Sequence, residues 1–252
     1  MTHLLLLPVL LAIQEPITIP TTPELVRAIE SVVRNDLRMR DWANLARYRE
    51  QNKTLKPPAA GENRVVFMGD SITDAWPQPR FGTFFTGKPY VGRGISGQTT
   101  PQMLIRFRPD VINLQPKVVV ILAGTNDIAG NTGFISNEEI QGNIASMAEL
   151  AKTNGIRVVL SSILPVSAYH QSPNSPAPQT VLRPMARIRA INEWMKEYAS
   201  KNGHVYLDYF SVMLDDSGHL RSELSEDDLH PNAKGYAIMG PLAEAAIRTA
   251  LK

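Results

Sequence analysis

The segment RVVFMGDSIT, residues 64–73, changes at Gly69 from an apolar run to polar residues. Its first half is short, apolar and rich in β-branched side chains, a pattern typical of a strand buried on both faces. Strands of this kind form parallel sheets that helices cover on both sides. Gly69, Asp70 and Ser71 therefore follow the carboxyl end of a strand, and open α/β sheets bind their ligands beyond such ends.

The rest of the chain alternates between strand-like apolar runs and amphipathic helical patterns. This alternation predicts an α/β fold, a three-layer α/β/α sandwich around a five-stranded parallel sheet. We assign a single domain to residues 21–252. It begins with a helix that carries Leu25, Ile29 and Val32 on one face and continues towards Tyr48. The predicted strands are residues 64–68, 89–91, 117–122, 156–163 and 204–207.

Composition excludes several classes of protein. The chain of 252 residues is 43% hydrophobic and 20% charged, which is enough for a full core and unlike a disordered or fibrous protein. Lys and Arg number 26 against 24 Asp and Glu, so the net charge is only +2. No basic run accompanies this balance, and we expect no nucleic-acid partner. The sequence has no cysteine, which excludes disulfides, thiolate metal sites and a cysteine nucleophile.

An apolar run from Leu4 to Ile13 lies near the start of the chain. It is too short to span a membrane, which takes about 20 residues, but it suits the core of a secretory signal. We interpret residues 1–20 as a signal segment and linker. We therefore expect a periplasmic or extracellular protein, or a cytoplasmic one if the run is not a signal. Stable membrane insertion is not expected.

Polar segments follow the predicted strands at four places. Because the strands are parallel, these segments should meet at one edge of the sheet. A random surface would not usually collect Ser, Gly, Asn and His in this way. The segments are GDSIT (residues 69–73), GRGISG (92–97), GTND (124–127) and EDDLHP (226–231).

In this order, the four segments resemble the sequence blocks of the SGNH hydrolases, also called GDSL-type esterases and acylhydrolases. Ile72 stands where the family name has leucine and keeps an apolar side chain behind the serine. Asp227 and His230 have the family's D-x-x-H spacing. The resemblance runs from Arg64 to the C-terminus. It implies a flavodoxin-like SGNH architecture and a serine esterase without a cofactor or a metal ion.

The resemblance also implies the roles of particular residues. Ser71 would be the nucleophile, His230 the base that takes its proton, and Asp227 the carboxylate that orients the imidazole. The developing oxyanion would receive hydrogen bonds from the backbone N–H groups of Ser71 and Gly94 and from the side-chain amide of Asn126.

Taken alone, each of these residue types also occurs in purely structural roles. A serine after a strand is often a helix N-cap, and glycine and asparagine are common in turns. Asp228 is a rival to Asp227, although adjacent side chains usually point apart. Only His230 has both an aspartate three residues before it, Asp227, and a proline directly after it, Pro231. The remaining histidines of the chain are His3, His170, His204 and His219.

Some further residues near the motifs carry weaker expectations. Asp70 and Asp127 should brace their loops, and Arg93 should be solvated or meet an anionic substrate. The segment Pro165–Pro184 contains five prolines and no apolar periodicity, so we predict a long surface loop. Four aromatic residues after the nucleophile should pack in the core or wall an acyl pocket: Trp76, Phe81, Phe84 and Phe85.

The sequence leaves the substrate and the reaction partly open. Modest aromatic content and the lack of an extended apolar stretch for a lid favour short acyl chains, carried by small molecules or carbohydrates. Acyl transfer to an alcohol would use the same residues. A flavodoxin-like phosphate-binding domain without catalysis and a non-catalytic binder of acylated glycans are alternatives from different functional classes. The oligomeric state is not predicted.

Overall fold

The computed structural model describes residues 22–82, 84–170 and 175–252. The apolar run from Leu4 to Ile13 and the signal segment assigned to residues 1–20 lie outside these ranges. The described part of the chain divides into two units, the first ending at Arg40 and the second spanning Asp41–Lys252. The assignment of one domain to residues 21–252 stays a prediction.

In the first unit, helix α1 spans Pro23–Arg40, so the expectation that it continues towards Tyr48 is wrong. The residue that follows the helix gives the reason. The carboxylate of Asp41 accepts hydrogen bonds from the backbone N–H groups of Leu45 at 2.7 Å and Ala46 at 2.9 Å. Such side-chain acceptors offer the backbone an alternative to helical bonding.

The second unit is built on a five-stranded sheet in which every neighbouring pair is parallel, so the predicted sheet is confirmed. The strand order is β2-β1-β3-β4-β5. The chain changes direction across the sheet between β1 and β3, and ligands bind beside the carboxyl ends of strands at such a point. The strands are β1 (Val65–Gly69), β2 (Tyr90–Gly94), β3 (Val118–Leu122), β4 (Arg157–Ser161) and β5 (Val205–Leu207).

Helices cover both faces of this sheet, which confirms the predicted three-layer arrangement. The α-helices are α2 (Arg49–Thr54), α3 (Ser71–Ala75), α4 (Thr100–Asp110), α5 (Thr125–Ile128), α6 (Asn137–Thr153), α7 (Gln179–Leu182), α8 (Met185–Asn202) and α9 (Ala233–Ala250). Short 3-10 helices span Pro79–Phe81, Ile112–Leu114, Ser211–Met213 and Ser222–Leu224.

Alternate residues of each strand face opposite layers, because successive side chains in a strand point to opposite faces. Val66 and Met68 of β1 pack with the buried faces of α4, α6 and α8. Val65 and Phe67 pack with those of α3 and α9. Strands β1 and β3 are therefore buried along their whole length and carry no polar side chain, in agreement with the apolar first half of residues 64–73. No helix in the described ranges is long and apolar enough to cross a membrane.

The segment Pro165–Pro184 differs from the predicted surface loop. Val166 and Ser167 are fully buried near its start, and Arg183 is only 5% exposed near its end. Helix α7 lies within it, and residues 171–174 are outside the described ranges. The prediction failed at both ends because polar groups rather than a periodic apolar stripe hold them in place. The N–H of Ser167, for example, donates to the carbonyl of Asp228 at 3.1 Å.

Candidate active site

Ser71 is the first residue of helix α3, directly beyond the carboxyl end of β1. Asp70 is the N-cap of this helix, and its side chain accepts a hydrogen bond of 3.0 Å from the N–H of Ile72. The helix thus receives its capping acceptor from Asp70. Capping is therefore not the role of the Ser71 hydroxyl.

Two short contacts join Ser71, His230 and Asp227. Oγ of Ser71 lies 2.9 Å from Nε2 of His230, and Nδ1 of His230 lies 2.6 Å from Oδ2 of Asp227. An ionised carboxylate only accepts hydrogen bonds, so it fixes the proton on Nδ1 and leaves Nε2 to accept from the hydroxyl. The structure therefore brings together residues that lie 159 positions apart in the sequence.

The carboxylate of Asp227 is held by its own segment of chain. Its Oδ1 accepts hydrogen bonds from the N–H groups of His230 at 2.8 Å and Leu229 at 3.1 Å and from the hydroxyl of Ser225 at 3.2 Å. Burial alone would raise the pKa of Asp227. The hydrogen bonds and charge of His230 outweigh that effect and hold the pKa below its ordinary value.

The neighbouring carboxylate, Asp228, serves a different part of the chain. It accepts hydrogen bonds from the hydroxyl of Ser167 at 2.6 Å and from the N–H groups of Tyr169 at 3.0 Å and His170 at 2.8 Å. Nδ1 of His170 also lies 3.0 Å from it. Asp228 has a φ of 68°, in the left-handed region. The structure thus pairs Asp227 with His230 and uses Asp228 to fix the start of the Pro-rich segment.

Gly94, at the end of β2, is packed against the backbone of helix α3. A methyl group at this position would lie 2.7 Å from the carbonyl oxygen of Asp70 and closer still to the backbone nitrogen of Asp74. Real side chains do not approach backbone so closely, and only glycine allows this packing. The N–H of Ile95 donates to the carbonyl of Gly69 at 3.1 Å. The loop after β2 is therefore fixed directly beside the loop that carries Ser71.

Asn126 lies in α5, immediately beyond β3, and is 4% exposed. Its Nδ2 donates to the carbonyl of Gln98, in the loop after β2, at 3.1 Å. The next residue, Asp127, accepts hydrogen bonds from the N–H of Thr100 at 2.9 Å and from its hydroxyl at 2.6 Å. Asp127 thus ties the loops after β2 and β3 together, the bracing that its position in the motif indicated.

Arg106, on α4, connects the loops around the site, and sequence analysis missed it. It is fully buried. It donates to the carbonyls of Gly69 at 2.8 Å and Arg93 at 2.9 Å, and also to the side chain of Gln98. Gly69 lies two residues before Ser71, and Arg93 lies directly before Gly94. The backbone carbonyl of Gln98 accepts the hydrogen bond from Asn126. The signal of Arg106 in the sequence is an arginine on the buried stripe of a helix, beside Met103 and Phe107.

Arg93 is only 4% exposed, so the expectation of a solvated side chain is wrong. Its guanidinium lies 4.7 Å from the ring centre of Tyr48 and donates to Oδ1 of Asn52 at 2.8 Å and 3.0 Å. The Tyr48 hydroxyl donates to the carbonyl of Gly94. The segment before β1 therefore supports the carboxyl end of β2. Sequence analysis gave this segment no role, because no motif marks it.

The carboxyl group of Asp70, next to Ser71, has a raised pKa. Burial is the main cause, and it raises the pKa of Asp70 to about 6 against the lowering effects of the Ile72 N–H, His230 and Arg183. Only Oδ1 is hydrogen-bonded: within the described residues, Oδ2 is buried without a partner. Ser71 therefore follows a carboxyl group that binds a proton more tightly than an exposed aspartate does.

Two cavities share the lining residues Phe81 and Ala233, and one of them contains the candidate site residues. One, of about 630 Å³, is lined by Ser71, His230 and Asp227 together with side chains from the α3 and His230 segments. A second, of about 580 Å³, is lined by Trp76, Phe81 and Phe85 and by α9. Phe84 and Phe85 also stack around Phe67 in the core. Within the described ranges, no cluster of three or more His, Asp or Glu side chains could hold a metal ion.

Comparisons with known proteins place this arrangement in a family. The sequence profile of the GDSL-like Lipase/Acylhydrolase family matches residues 67–238. A GDSL-like lipase from Bacteroides thetaiotaomicron is 43% identical, with a TM-score of 0.74 over 82% of this chain and 98% of its own.

Two curated relatives are more distant. The platelet-activating factor acetylhydrolase IB subunit alpha2 of Rattus norvegicus is 28% identical over 190 residues, which cover 73% of this chain and 76% of that protein. The lipoprotein YqeF of Bacillus subtilis is 34% identical over 76 residues, 29% of this chain and 31% of that protein.

The family match spans the segments that carry Ser71, Gly94, Asn126 and His230. This chain therefore belongs to the GDSL-like lipase/acylhydrolase family, the SGNH hydrolases, and is a carboxylic ester hydrolase.

Proposed function

We propose that this enzyme hydrolyses short-chain esters, acetyl esters above all, of small polar alcohols or carbohydrates, through an acyl-enzyme intermediate on Ser71. One observation carries the proposal. Oγ of Ser71 lies 2.9 Å from Nε2 of His230, whose Nδ1 lies 2.6 Å from the carboxylate of Asp227. A serine hydroxyl becomes a useful nucleophile only with a base within hydrogen-bond reach, and the base works best when a third group orients it.

The first half of the reaction acylates the serine. Oγ attacks the ester carbonyl while His230 takes the hydroxyl proton on Nε2, and Asp227 stabilises the imidazolium that forms. The carbonyl oxygen becomes an oxyanion. The N–H groups of Ser71 and Gly94 and the Nδ2 of Asn126 donate hydrogen bonds to it, and each such donor contributes about 3 kcal/mol to the transition state.

Collapse of this intermediate breaks the ester C–O bond. His230 returns the proton to the departing alcohol oxygen, and the acyl group stays on Oγ of Ser71. Water then attacks the acyl carbon while His230 takes one of its protons. The second intermediate expels Oγ, which recovers the proton, and the carboxylic acid leaves. The cycle consumes one ester and one water, and it restores the hydroxyl of Ser71 and the neutral imidazole of His230.

The cavity beside Ser71 supports a polar alcohol portion of the substrate. Hydroxyl-rich alcohols are recognised by hydrogen-bonding side chains, whereas long acyl chains need apolar walls. The polar residues that line this cavity are Gln78, Arg80, Ser96, Glu226, Asn232 and Lys234.

Two further parts of the proposal rest on relatives and on the sequence. The acetyl preference is supported by the likeness to a platelet-activating factor acetylhydrolase subunit, which covers 73% of this chain. Location outside the cytoplasm is supported by the apolar run from Leu4 to Ile13 and by the partial likeness to a Bacillus lipoprotein.

The test is a series of p-nitrophenyl esters from acetate to octanoate, beside acetylated monosaccharides from which released acetate is measured. We expect kcat/KM to fall by about tenfold or more from acetate to octanoate, the scale on which a pocket discriminates chain length. Acetate should also be released from the sugars. An optimum at octanoate would reject the acyl preference. Faster transfer to an added alcohol than to water would reassign the enzyme as an acyltransferase.

The serine controls accompany this series. Ser71→Ala should abolish turnover and prevent labelling by a fluorophosphonate, while the melting temperature stays near that of the wild type. Ser146→Ala is the matched control, because the Ser146 hydroxyl bonds only to the carbonyl of Gly142 within helix α6 among the hydrogen bonds of the described residues. It should retain full turnover and labelling. Turnover retained by Ser71→Ala would reject the nucleophile.

A further inference from the structure

Arg183, at the end of the Pro-rich segment, is 5% exposed and reaches the candidate site. Its guanidinium donates three hydrogen bonds within the protein. Nε donates to the hydroxyl of Thr125 at 3.1 Å, Nη2 to Oδ1 of Asn126 at 3.3 Å, and Nη1 to Oε1 of Gln179. Each of its nitrogens is therefore bonded to a neighbouring side chain, and these three contacts hold the guanidinium in place.

The contact between Arg183 and Asn126 determines on which side of the Asn126 amide the oxygen lies and on which side the nitrogen lies. A guanidinium has donors and no acceptor, so it requires the oxygen of the amide. On the other side, the carbonyl of Gln98 requires the nitrogen and receives Nδ2 at 3.1 Å. The two contacts impose the same orientation. One hydrogen of Nδ2 bonds to Gln98, and the second is available to the oxyanion that the proposed mechanism forms.

The charge of Arg183 strengthens this arrangement. Burial lowers the pKa of Arg183, and the carboxylates of Asp70 and Asp227 act in the opposite direction, which places the guanidinium in the electrostatic field of the site. A cation that donates to the amide oxygen withdraws electron density from the amide nitrogen. Hydrogen bonds arranged in series polarise one another in this way, and the Nδ2 donor becomes stronger.

We propose that Arg183 is a positioning residue, which fixes and polarises the amide of Asn126 for stabilisation of the oxyanion, and that helix α7, which directly precedes it, holds it there. This inference rests on the proposed serine esterase mechanism. It gives residues 179–183, near the end of the Pro-rich segment and outside the sequence motifs, a task in the chemistry.

The test is a double-mutant cycle on p-nitrophenyl acetate hydrolysis with wild type, Arg183→Met, Asn126→Ala and the double variant. Titration with a fluorophosphonate counts the reactive Ser71, so that kcat refers to folded, active enzyme. Asn126→Ala should lower kcat by about 10²–10³, the cost of one oxyanion donor. Arg183→Met should lower kcat by about tenfold to hundredfold, because it weakens that donor without deleting it. KM should change by less than about threefold.

The decisive comparison is the effect of Arg183→Met in the N126A background. If Arg183 acts through Asn126, the second substitution should lower kcat by less than about twofold, because the residue it serves is already absent. Equal losses in the two backgrounds would overturn the proposal, as would a wild-type kcat in Arg183→Met. Arg183→Lys, which keeps the charge and one donor, should recover part of the loss, and it replaces Arg183→Met in the cycle if the methionine variant does not fold.

Arg64→Met is the matched structural control. Arg64 is 6% exposed and donates to Glu62 and to the carbonyls of Leu114 and Lys56 at the amino end of β1, the edge of the sheet opposite Ser71. It should lower the melting temperature without changing kcat per titrated site. Failure of the wild type to react with both ester and fluorophosphonate would reject the serine mechanism and this proposal together. Normal wild-type activity with an additive cycle would reject the role of Arg183 alone.

Discussion

The phenol of Tyr236, on α9, donates a hydrogen bond of 2.7 Å to the carbonyl of Ile72, the residue after Ser71. Tyr236 is 2% exposed, so water does not take the place of this bond. The C-terminal helix therefore fixes the short helix that carries the proposed nucleophile.

Tyr236→Phe should lower the free energy of unfolding by about 1–2 kcal/mol, because it leaves a buried carbonyl without this donor. Urea denaturation measures the change. Tyr209→Phe is the matched control: Tyr209 is 1% exposed, and its hydroxyl has no hydrogen-bond partner within the described residues. Its removal should leave stability unchanged or raise it. Equal losses in the two variants would contradict the importance of the Tyr236 bond.

Gly94→Ala should lower kcat by about a hundredfold. The added methyl group would meet the carbonyl of Asp70 and the backbone of Asp74, so helix α3 must shift, and displacements of about 1 Å in a reacting group cost this much. Gly142→Ala, in α6, is the control, because nothing lies within 4 Å of the methyl group it adds. It should raise stability by about 0.5–1 kcal/mol and leave kcat unchanged. Similar kcat values for the two variants would exclude the close packing at Gly94.

Asp227→Asn should reduce kcat by about 10⁴, since an amide no longer fixes the imidazole proton on Nδ1. Asp228→Asn makes the same change one residue away, where the carboxylate holds Ser167 and His170. It should lower the melting temperature and have a far smaller effect on kcat. Steady-state kinetics and thermal unfolding separate the two results. The larger loss of kcat in Asp228→Asn would reverse the assignment of the two carboxylates.

Asp70 should make stability depend on pH in a defined direction. Its pKa is about 6 in the folded chain and near 3.8 in an unfolded one. Between these values the folded state binds more protons, so the contribution of Asp70 to stability is full below about pH 4 and declines as the pH rises through 6. At about 1.4 kcal/mol per pKa unit, the decline amounts to about 3 kcal/mol.

Asp70→Asn removes this titration, so the melting temperature of the variant minus that of the wild type should rise between pH 4 and about 6 and then level off. Ser146→Ala, which removes no group that titrates in this range and whose hydroxyl bonds to the carbonyl of Gly142 within α6, should show a difference that is constant over the same range. A constant difference for Asp70→Asn as well would show that its carboxyl group titrates normally.

The sequence was most informative where the determinants are close together along the chain. Val65 to Met68 show a buried strand within one short run, and the three-residue spacing of Asp227 and His230 places them on one turn. Arg106 and Tyr48 could not be found in this way, because their partners at Gly69 and Gly94 lie 37 and 46 residues away. The same limit explains Arg93, whose charge suggests a solvated side chain although Asn52 and Tyr48 lie beside it in the fold.

The single segment that carries both Asp227 and His230 has a mechanical consequence. Because Oδ1 of Asp227 also accepts the backbone N–H of His230, the carboxylate and the imidazole are coupled through the main chain and move as one body. A displacement of this segment relative to β1 would then leave their pairing intact and change the separation between Ser71 and the ring. In such a design, the proposed proton transfer has one variable distance, that between Oγ of Ser71 and Nε2 of His230.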